Sequence, residues 1–345
     1  MSAHADETPS LFGDAWPVHD SDASARKPVG PLALAASAES LRDLGAQLPS
    51  NLYLGTSSWS FPGWSDIVYD RVASEAQLAR DGLTAYARHP LFRSVGLDKT
   101  YYRPAPRAEF ERLAAQVPAE FRFLVKMWRG VVEHGVRGKA ELTNAADSFL
   151  DARIAEVECV RPAIEGLGDK AGPLLFQFPP MRFSGARAQR AFLGQLQQFL
   201  AALPRGPLYA VEVRNRALLS PECGPRLAAL LAESGAVPCL TVHPTMPSVE
   251  VQARELVLDT TKPRVMRWML RGNHAYAEAK DLYEPFDALV ETDDPSRDAI
   301  ARLARATLAA GLGVWVIVNN KAEGSSPHSI ERLARKLCES SHPHP

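Results

Sequence analysis

The chain is short of cysteine, of long apolar runs and of net charge, and each shortage removes a class of protein. Four cysteines, Cys159, Cys223, Cys239 and Cys338, stand far apart in 345 residues with no C-x-x-C pair. That excludes a dense disulfide framework and implies incidental thiols of a reducing compartment. No apolar stretch approaches the roughly 20 residues a spanning helix needs. No basic segment followed by an apolar core opens the sequence, so no signal peptide is expected. The expectation is a cytoplasmic protein without a membrane partner. Net charge is −1 at pH 7, and it is unevenly spread. Residues 1–50 hold seven acids and three bases, leaving 33 acids and 36 bases in the remainder. A surplus that small is too weak for recognition driven by phosphate backbones. Nucleic acid keeps only the thin support of arginines lying beside tryptophans.

Metal ligands are scarce as well. Of nine histidines, His4, His19, His342 and His344 lie in the tails, and only His243 and His274 fall near strand ends. The one plausible metal nucleus is Glu212, His243 and Asp98, and convergent ligands are what a metal site demands. The expectation is therefore no metal and no cofactor. Gly166 to Gly172 is glycine-rich but lacks G-x-x-x-x-G-K-[ST] and precedes a strand, so it reads as a turn and not a phosphate loop. Ser57 and Ser58 are not in G-x-S-x-G, which argues against a hydrolase elbow.

What the chain has in quantity is alternation. Hydrophobic residues make up 46% and charged residues 23%, enough for a sizeable core. Residues 1–30 mix Ser, Asp, Ala, His and Pro without period and read as a disordered tail. Residues 31–50 read as one amphipathic helix (Leu32, Leu34, Leu41, Leu44, Leu48) packing on the domain, at its lower end if that domain is a barrel. From 51 to 340, apolar strand-like runs appear at Leu52–Gly55, Ser94–Leu97, Phe121–Lys126, Leu174–Phe178, Tyr209–Val213, Val237–Val242, Val265–Leu270 and Val314–Val318. Helical patterns over Glu109–Gln116, Asn144–Ile164, Ala188–Leu203, Pro225–Glu233, Arg297–Ala310 and Ser329–Cys338 separate most of them. Strand–helix alternation implies right-handed crossovers and a parallel sheet. Eight units in this length match an α/β fold of the (β/α)8 type, a single TIM-barrel-like domain; a doubly wound open sheet is the runner-up. Thr241 to Arg264, with Pro244, Pro247 and Pro263, shows no clean helix.

Read in series, several motifs carry a resemblance. Gly55-Thr56-Ser57-Ser58-Trp59 with Pro62-Gly63-Trp64, Thr100-Tyr101-Tyr102-Arg103, Phe123-Leu124-Val125-Lys126, Gly172 to Pro180, Ala210-Val211-Glu212-Val213-Arg214 and Asn319-Asn320 resemble the YecE-like family, also called domain of unknown function seventy-two. The stretch Asn319 to Pro327 resembles a longer subgroup of it. The resemblance implies a TIM barrel and no particular reaction. It also shows departures: Gly96 and Asp98 stand where the family commonly has a Glu and an Asn, and no aromatic residue follows Glu212-Val213-Arg214.

In a barrel, ligands meet the C-terminal ends of the strands. Lys126 closes an apolar run, so its ammonium must be desolvated, paired or both, which makes it a candidate base or Schiff-base nucleophile; a structural pair with Glu212 is the plain alternative. Period two puts Glu212 and Arg214 on one face, where Glu212 could act as general acid or base or simply order the barrel. Thr56, Ser57, Ser58, Gln177, Asn319 and Asn320 are candidate hydrogen-bonding contacts. Trp59, Trp64, Tyr101 and Tyr102 are candidate walls for a sugar face or a base. Arg103, Arg214 and Arg267 are candidate anion contacts, and Arg271 extends the phosphate-site analogy. The sequence thus points to a small anionic or polyol ligand and to a metal-independent enzyme with Lys126 and Glu212 as its proton-transfer pair. A nucleic-acid repair or binding barrel and a non-catalytic ligand-binding barrel are the alternatives. Oligomeric state leaves no trace in the pattern.

Overall fold

The computed structural model describes residues 30–134, 148–270 and 274–339. Eight parallel strands close into a barrel in sequence order: β1 (Leu52–Thr56), β2 (Ser94–Leu97), β3 (Arg122–Lys126), β4 (Ala171–Phe178), β5 (Tyr209–Val213), β6 (Val237–Val242), β7 (Arg264–Trp268) and β8 (Val314–Val318). The ring is shut by β1 on β8, with Leu52 opposite Val314 and Thr56 opposite Val318. Each strand is buried on both faces, one against helices and one against the lumen. This is why the strands read as near-continuous apolar runs. β7 ends at Trp268, two residues before the expected Leu270, because the N–H groups of Met269 and Leu270 both turn back to the carbonyl of Val242.

Two apolar cores result. The outer one lies between strands and helices. The inner one fills the lumen with Leu124, Leu175, Ala210, Val237, Cys239, Val265, Trp315 and Ile317. At its lower end Tyr53 stacks on Trp315 with centroids 4.5 Å apart and planes 14° apart. That aromatic pair closes the bottom of the barrel. Above the apolar layer the lumen turns polar.

Between 31 and 50 the chain makes two short helices, Ala36–Glu39 and Arg42–Gln47, in place of one. The amide and hydroxyl of Ser40 both bond the carbonyl of Ser37, which ends the first helix. Arg93 then ties Gly45, Leu48 and Pro49 to the start of β2 through their carbonyls. Of the tail expected over residues 1–30, all but Gly30 lies outside the described residues, as do Arg271 and the opening of the helix expected from Asn144. Of the latter, the described part runs Ala152–Leu167 with a single wide turn at Glu156–Val160.

The proline-rich stretch after β6 does contain a helix, Val249–Glu255, with Ser248 as its N-cap. At seven residues it is too short to show a period between flanking prolines. Gln252 from this helix donates to the carbonyls of Thr241 and Pro247, each at 2.7 Å, and accepts from the Thr241 amide at 3.1 Å, clamping the loop onto β6. Among the described residues no helix is long and apolar enough to cross a membrane.

Gly55 shows how closely β1 and β2 approach. A Cβ there would lie 2.0 Å from the Ser94 carbonyl oxygen, a backbone atom that cannot swing aside. Gly55→Ala is expected to destabilise the fold by about 1–3 kcal/mol through forced strand separation; urea unfolding gives the value, and a loss under about 0.5 kcal/mol would refute the close approach.

Candidate functional site

The last inward-facing position of each strand, or the first residue past it, brings a polar side chain to one end of the lumen. At the centre is Glu212 on β5, 0% exposed. It accepts from Arg214 Nε at 2.9 Å on one oxygen and from Arg267 at 2.8 Å on the other. Burial alone would push this carboxyl up, but the two guanidiniums outweigh it and hold the group at about 2. Arg267 on β7, 1% exposed, also donates to Gln177 at 3.1 Å and to Asp98 at 3.3 Å. Arg214 reaches Gln177 at 3.2 Å with its other branch. One carboxylate and two guanidiniums thus tie β4, β5 and β7 to the loop after β2.

His243, after β6, completes this group. Arg214 meets its Nε2 at 3.2 Å. A guanidinium can only donate, so Nε2 accepts and the ring is neutral; Nδ1 meets the Thr245 hydroxyl at 2.9 Å and the Thr245 amide, which donates to it, at 3.3 Å. Burial and the Arg214 charge lower the imidazole to about 3, in keeping with that role. The three groups that make up the one metal nucleus legible in the sequence, Glu212, Asp98 and His243, are therefore each engaged by an arginine. A donor set already held by cations is a poor host for another cation.

Lys126 ends β3 and lies across the lumen mouth. It is 8% exposed, and its Nζ sits 3.6 Å from the centroid of the Tyr101 ring. Burial lowers it to about 7, with Asp98 and Glu212 pulling up and Arg267 and Arg214 pushing down. Lys126 does not pair with Glu212, whose oxygens belong to the arginines. Tyr101 is in turn fixed by a hydrogen bond from its hydroxyl to Glu133, and Glu133 is paired with Arg129 at 3.1 Å. On the opposite wall Asn319, after β8, donates to the Ser57 hydroxyl at 2.8 Å. Gly96 faces the lumen beside them, its missing Cβ 3.3 Å from Ser57 Cα and 3.5 Å from an Ile317 methyl.

The structure therefore brings together Ser57, Tyr101, Lys126, Gln177, Glu212, Arg214, Arg267 and Asn319. Other candidates it places elsewhere. The Thr56 hydroxyl bonds the Ser58 carbonyl and the Tyr86 hydroxyl, ordering the loop. Ser58 shares its hydroxyl with Ser60 at 3.3 Å. Trp59 turns outward, its indole donating to the Leu78 carbonyl at 3.0 Å. Trp64 is 0% exposed and packs on Phe61 in the outer core. Asn320 accepts from the amide and hydroxyl of Ser326, at 2.9 and 2.7 Å, at the start of the last helix. Tyr102 is half-buried, edge-on to Tyr101, and Arg103 is exposed. Glu133, which fixes Tyr101, carries no signal in sequence beyond a carboxylate soon after a strand.

Fold and site together define a (β/α)8 barrel with an arginine-braced polar mouth and a desolvated lysine. The chain belongs to the family described as Protein of unknown function DUF72, whose model matches residues 53–345. The UPF0759 protein YunF of Bacillus subtilis (strain 168) is 27% identical over 170 residues, 49% of this chain and 53% of that protein. The chain thus spans about half the length of that relative. Among solved structures, a DUF72 family protein from Thermotoga maritima MSB8 superposes with TM-score 0.56 at 21% identity, covering 84% of this chain and 99% of the other. One from Enterococcus faecalis V583 gives 0.55 at 19%, covering 84% and 97%. At these identities the likeness establishes the fold.

Proposed function

We propose that this chain is a metal-independent enzyme acting on a small anionic or polyol ligand, of the sugar or sugar-phosphate kind, at the C-terminal mouth of its barrel, with Lys126 as the group that takes up and returns a proton. The observation that carries this is Lys126 itself: an ammonium 8% exposed, laid on the face of Tyr101, with no carboxylate or hydrogen-bond acceptor on its Nζ among the described residues. Lowered to about 7, it is partly neutral at physiological pH, as an amine must be to serve as a base. Arg214 and Arg267 supply a fixed positive field for an anion or for charge developing on a substrate oxygen. Ser57, Gln177 and Asn319 offer hydroxyl and amide groups for polyol contacts. In this reading Glu212, the expected partner of Lys126 in proton transfer, stays ionised and anchors the arginines, and Lys126 alone carries the proton.

The test is solvent exchange. The full chain is first weighed by native mass spectrometry for a co-purifying ligand, then incubated in deuterated water with a panel of sugars, sugar acids and sugar phosphates that carry a carbonyl. At least one is expected to gain deuterium next to the carbonyl, at a rate that rises through about pH 7 and falls by about 10²–10⁴ in Lys126→Met. Binding without exchange, or exchange that survives the substitution, would discard the enzyme in favour of a barrel that only holds its ligand.

A further inference from the structure

A second buried ammonium stands on the rim of the mouth and has no part in the reading above. Lys321 follows β8 and is 1% exposed. Its backbone amide donates to the Asn319 side chain at 3.0 Å, which fixes the single turn Asn320–Ala322. Its Nζ lies 4.1 Å from the centroid of Tyr276 and 5.3 Å from that of Phe286. Among the described residues no carboxylate and no hydrogen-bond acceptor meets that nitrogen. Ring faces offset only part of the penalty of taking an ammonium out of water, and its three N–H donors find no acceptor among the described residues.

The charges nearby do not satisfy that ammonium. Lys280 and Glu284 are the charged neighbours whose fields reach Lys321, and they are ion-paired with each other at 3.5 Å. Burial first and Lys280 second lower Lys321 to about 8, with Glu284 acting the other way. Lys280 also acts, with Lys99, on Glu75, the first residue of the helix Glu75–Asp81, so the lysines on this side of the barrel stand among two carboxylates, neither of which meets Lys321. Tyr276 connects the place to the mouth. Tyr102 and Asp98 lie within electrostatic reach of its hydroxyl, Tyr102 packs edge-on to Tyr101 at 5.4 Å, and Tyr101 carries Lys126. Two ammoniums therefore flank one set of tyrosines, each seated on a ring.

We infer that Lys321 and Tyr276 form a second, anion-binding subsite on the rim of the barrel mouth, selecting a ligand that carries a phosphate group at the end away from Lys126. Phosphate fits better than a single carboxylate because its several oxygens can accept from the Lys321 N–H donors, and a dianion gains from the field of Lys280 as well. The inference deepens the reading of the mouth as a ligand site and rests on it for the ligand's other end. Binding of phosphate would also restore the Lys321 proton, since an opposite charge favours the charged form.

The probes are sorbitol, sorbitol 6-phosphate and inorganic phosphate, titrated calorimetrically into the full chain at pH 8 in two buffers of different ionisation heat. Sorbitol 6-phosphate is expected to bind at least about tenfold tighter than sorbitol, with proton uptake. In Lys321→Gln that preference is expected to shrink to about twofold and the uptake to vanish, with sorbitol affinity unchanged. A phosphate preference that survives the substitution, or none in the wild type, overturns the subsite. Failure of the lumen reading looks different: Lys126→Met and Arg214→Ala would leave sorbitol 6-phosphate affinity untouched while Lys321→Gln still lowers it. Should Lys321→Gln melt below the assay temperature, Lys280→Gln is read with inorganic phosphate; weakening by about threefold supports the subsite, and none overturns it.

Discussion

Arg267→Met is expected to destabilise the protein by about 3–5 kcal/mol, because it leaves a buried carboxylate short of half its compensation. Glu212 is 0% exposed and Arg267 1% exposed, so water cannot step in when the guanidinium is gone. The substitution also releases the Gln177 and Asp98 oxygens that Arg267 holds at 3.1 and 3.3 Å. Methionine fills much of the volume, so the loss measures unpaired charge more than cavity. Glu212→Gln should cost less, since an amide still accepts from one arginine, and the pair of substitutions together should cost less than the sum of each alone. Urea unfolding of the four proteins at pH 7 gives the cycle. A loss under about 1 kcal/mol for Arg267→Met would mean that Glu212 finds solvent or a proton, and the braced mouth would have to be abandoned.

Why the strands were readable and the mouth only half so follows from the same geometry. Val314–Val318 or Leu174–Phe178 must be apolar on both faces, so the run is visible whatever its neighbours are. The polar residue at the end of such a run is equally visible: Lys126, Gln177, Glu212, Arg267 and Asn319 all sit where the apolar pattern stops, and strand alternation turns each of them inward. Loops obey no such rule. Trp59 follows Ser57 and Ser58 directly, yet its indole finds the Leu78 carbonyl on the outside of the barrel. Asn320 differs from Asn319 by one residue and one face, and it serves the last helix while its neighbour serves Ser57. Glu133, Tyr276 and Lys321 matter through partners far away in the chain, which no local pattern reports. Charge alone pairs Lys126 with Glu212. Two arginines, one of them 55 residues further along, took the carboxylate instead.

That outcome leaves Lys126 on a ring with no carboxylate paired to its Nζ among the described residues, and its stability signature follows from the sign of its displacement. Its ordinary value is 10.5 and the folded value about 7. Below pH 7 the amine is charged in both folded and unfolded chains, and the folded state bears the full burden of a desolvated ammonium. Between pH 7 and 10.5 the unfolded chain holds a proton that the folded chain does not, so stability climbs with pH across that window. A displacement of this size corresponds to about 4–5 kcal/mol between its two ends. Lys126→Met is therefore expected to be more stable than the wild type by about 2–4 kcal/mol at pH 6, with the advantage shrinking toward zero by about pH 10. Lys321 contributes a slope of its own from about 8 upward, but it is present in both proteins and cancels in the difference. Denaturant titrations at four or five pH values supply the curve. A methionine variant less stable than the wild type at pH 6, or a gap that does not close as pH rises, would show an ammonium that is solvated or paired, and the proton-transfer role would fall with it. If the curve behaves as expected, the barrel keeps at its mouth a group that weakens the fold at every pH where it is charged, and such a group persists in a sequence when the chemistry it performs outweighs the stability it removes.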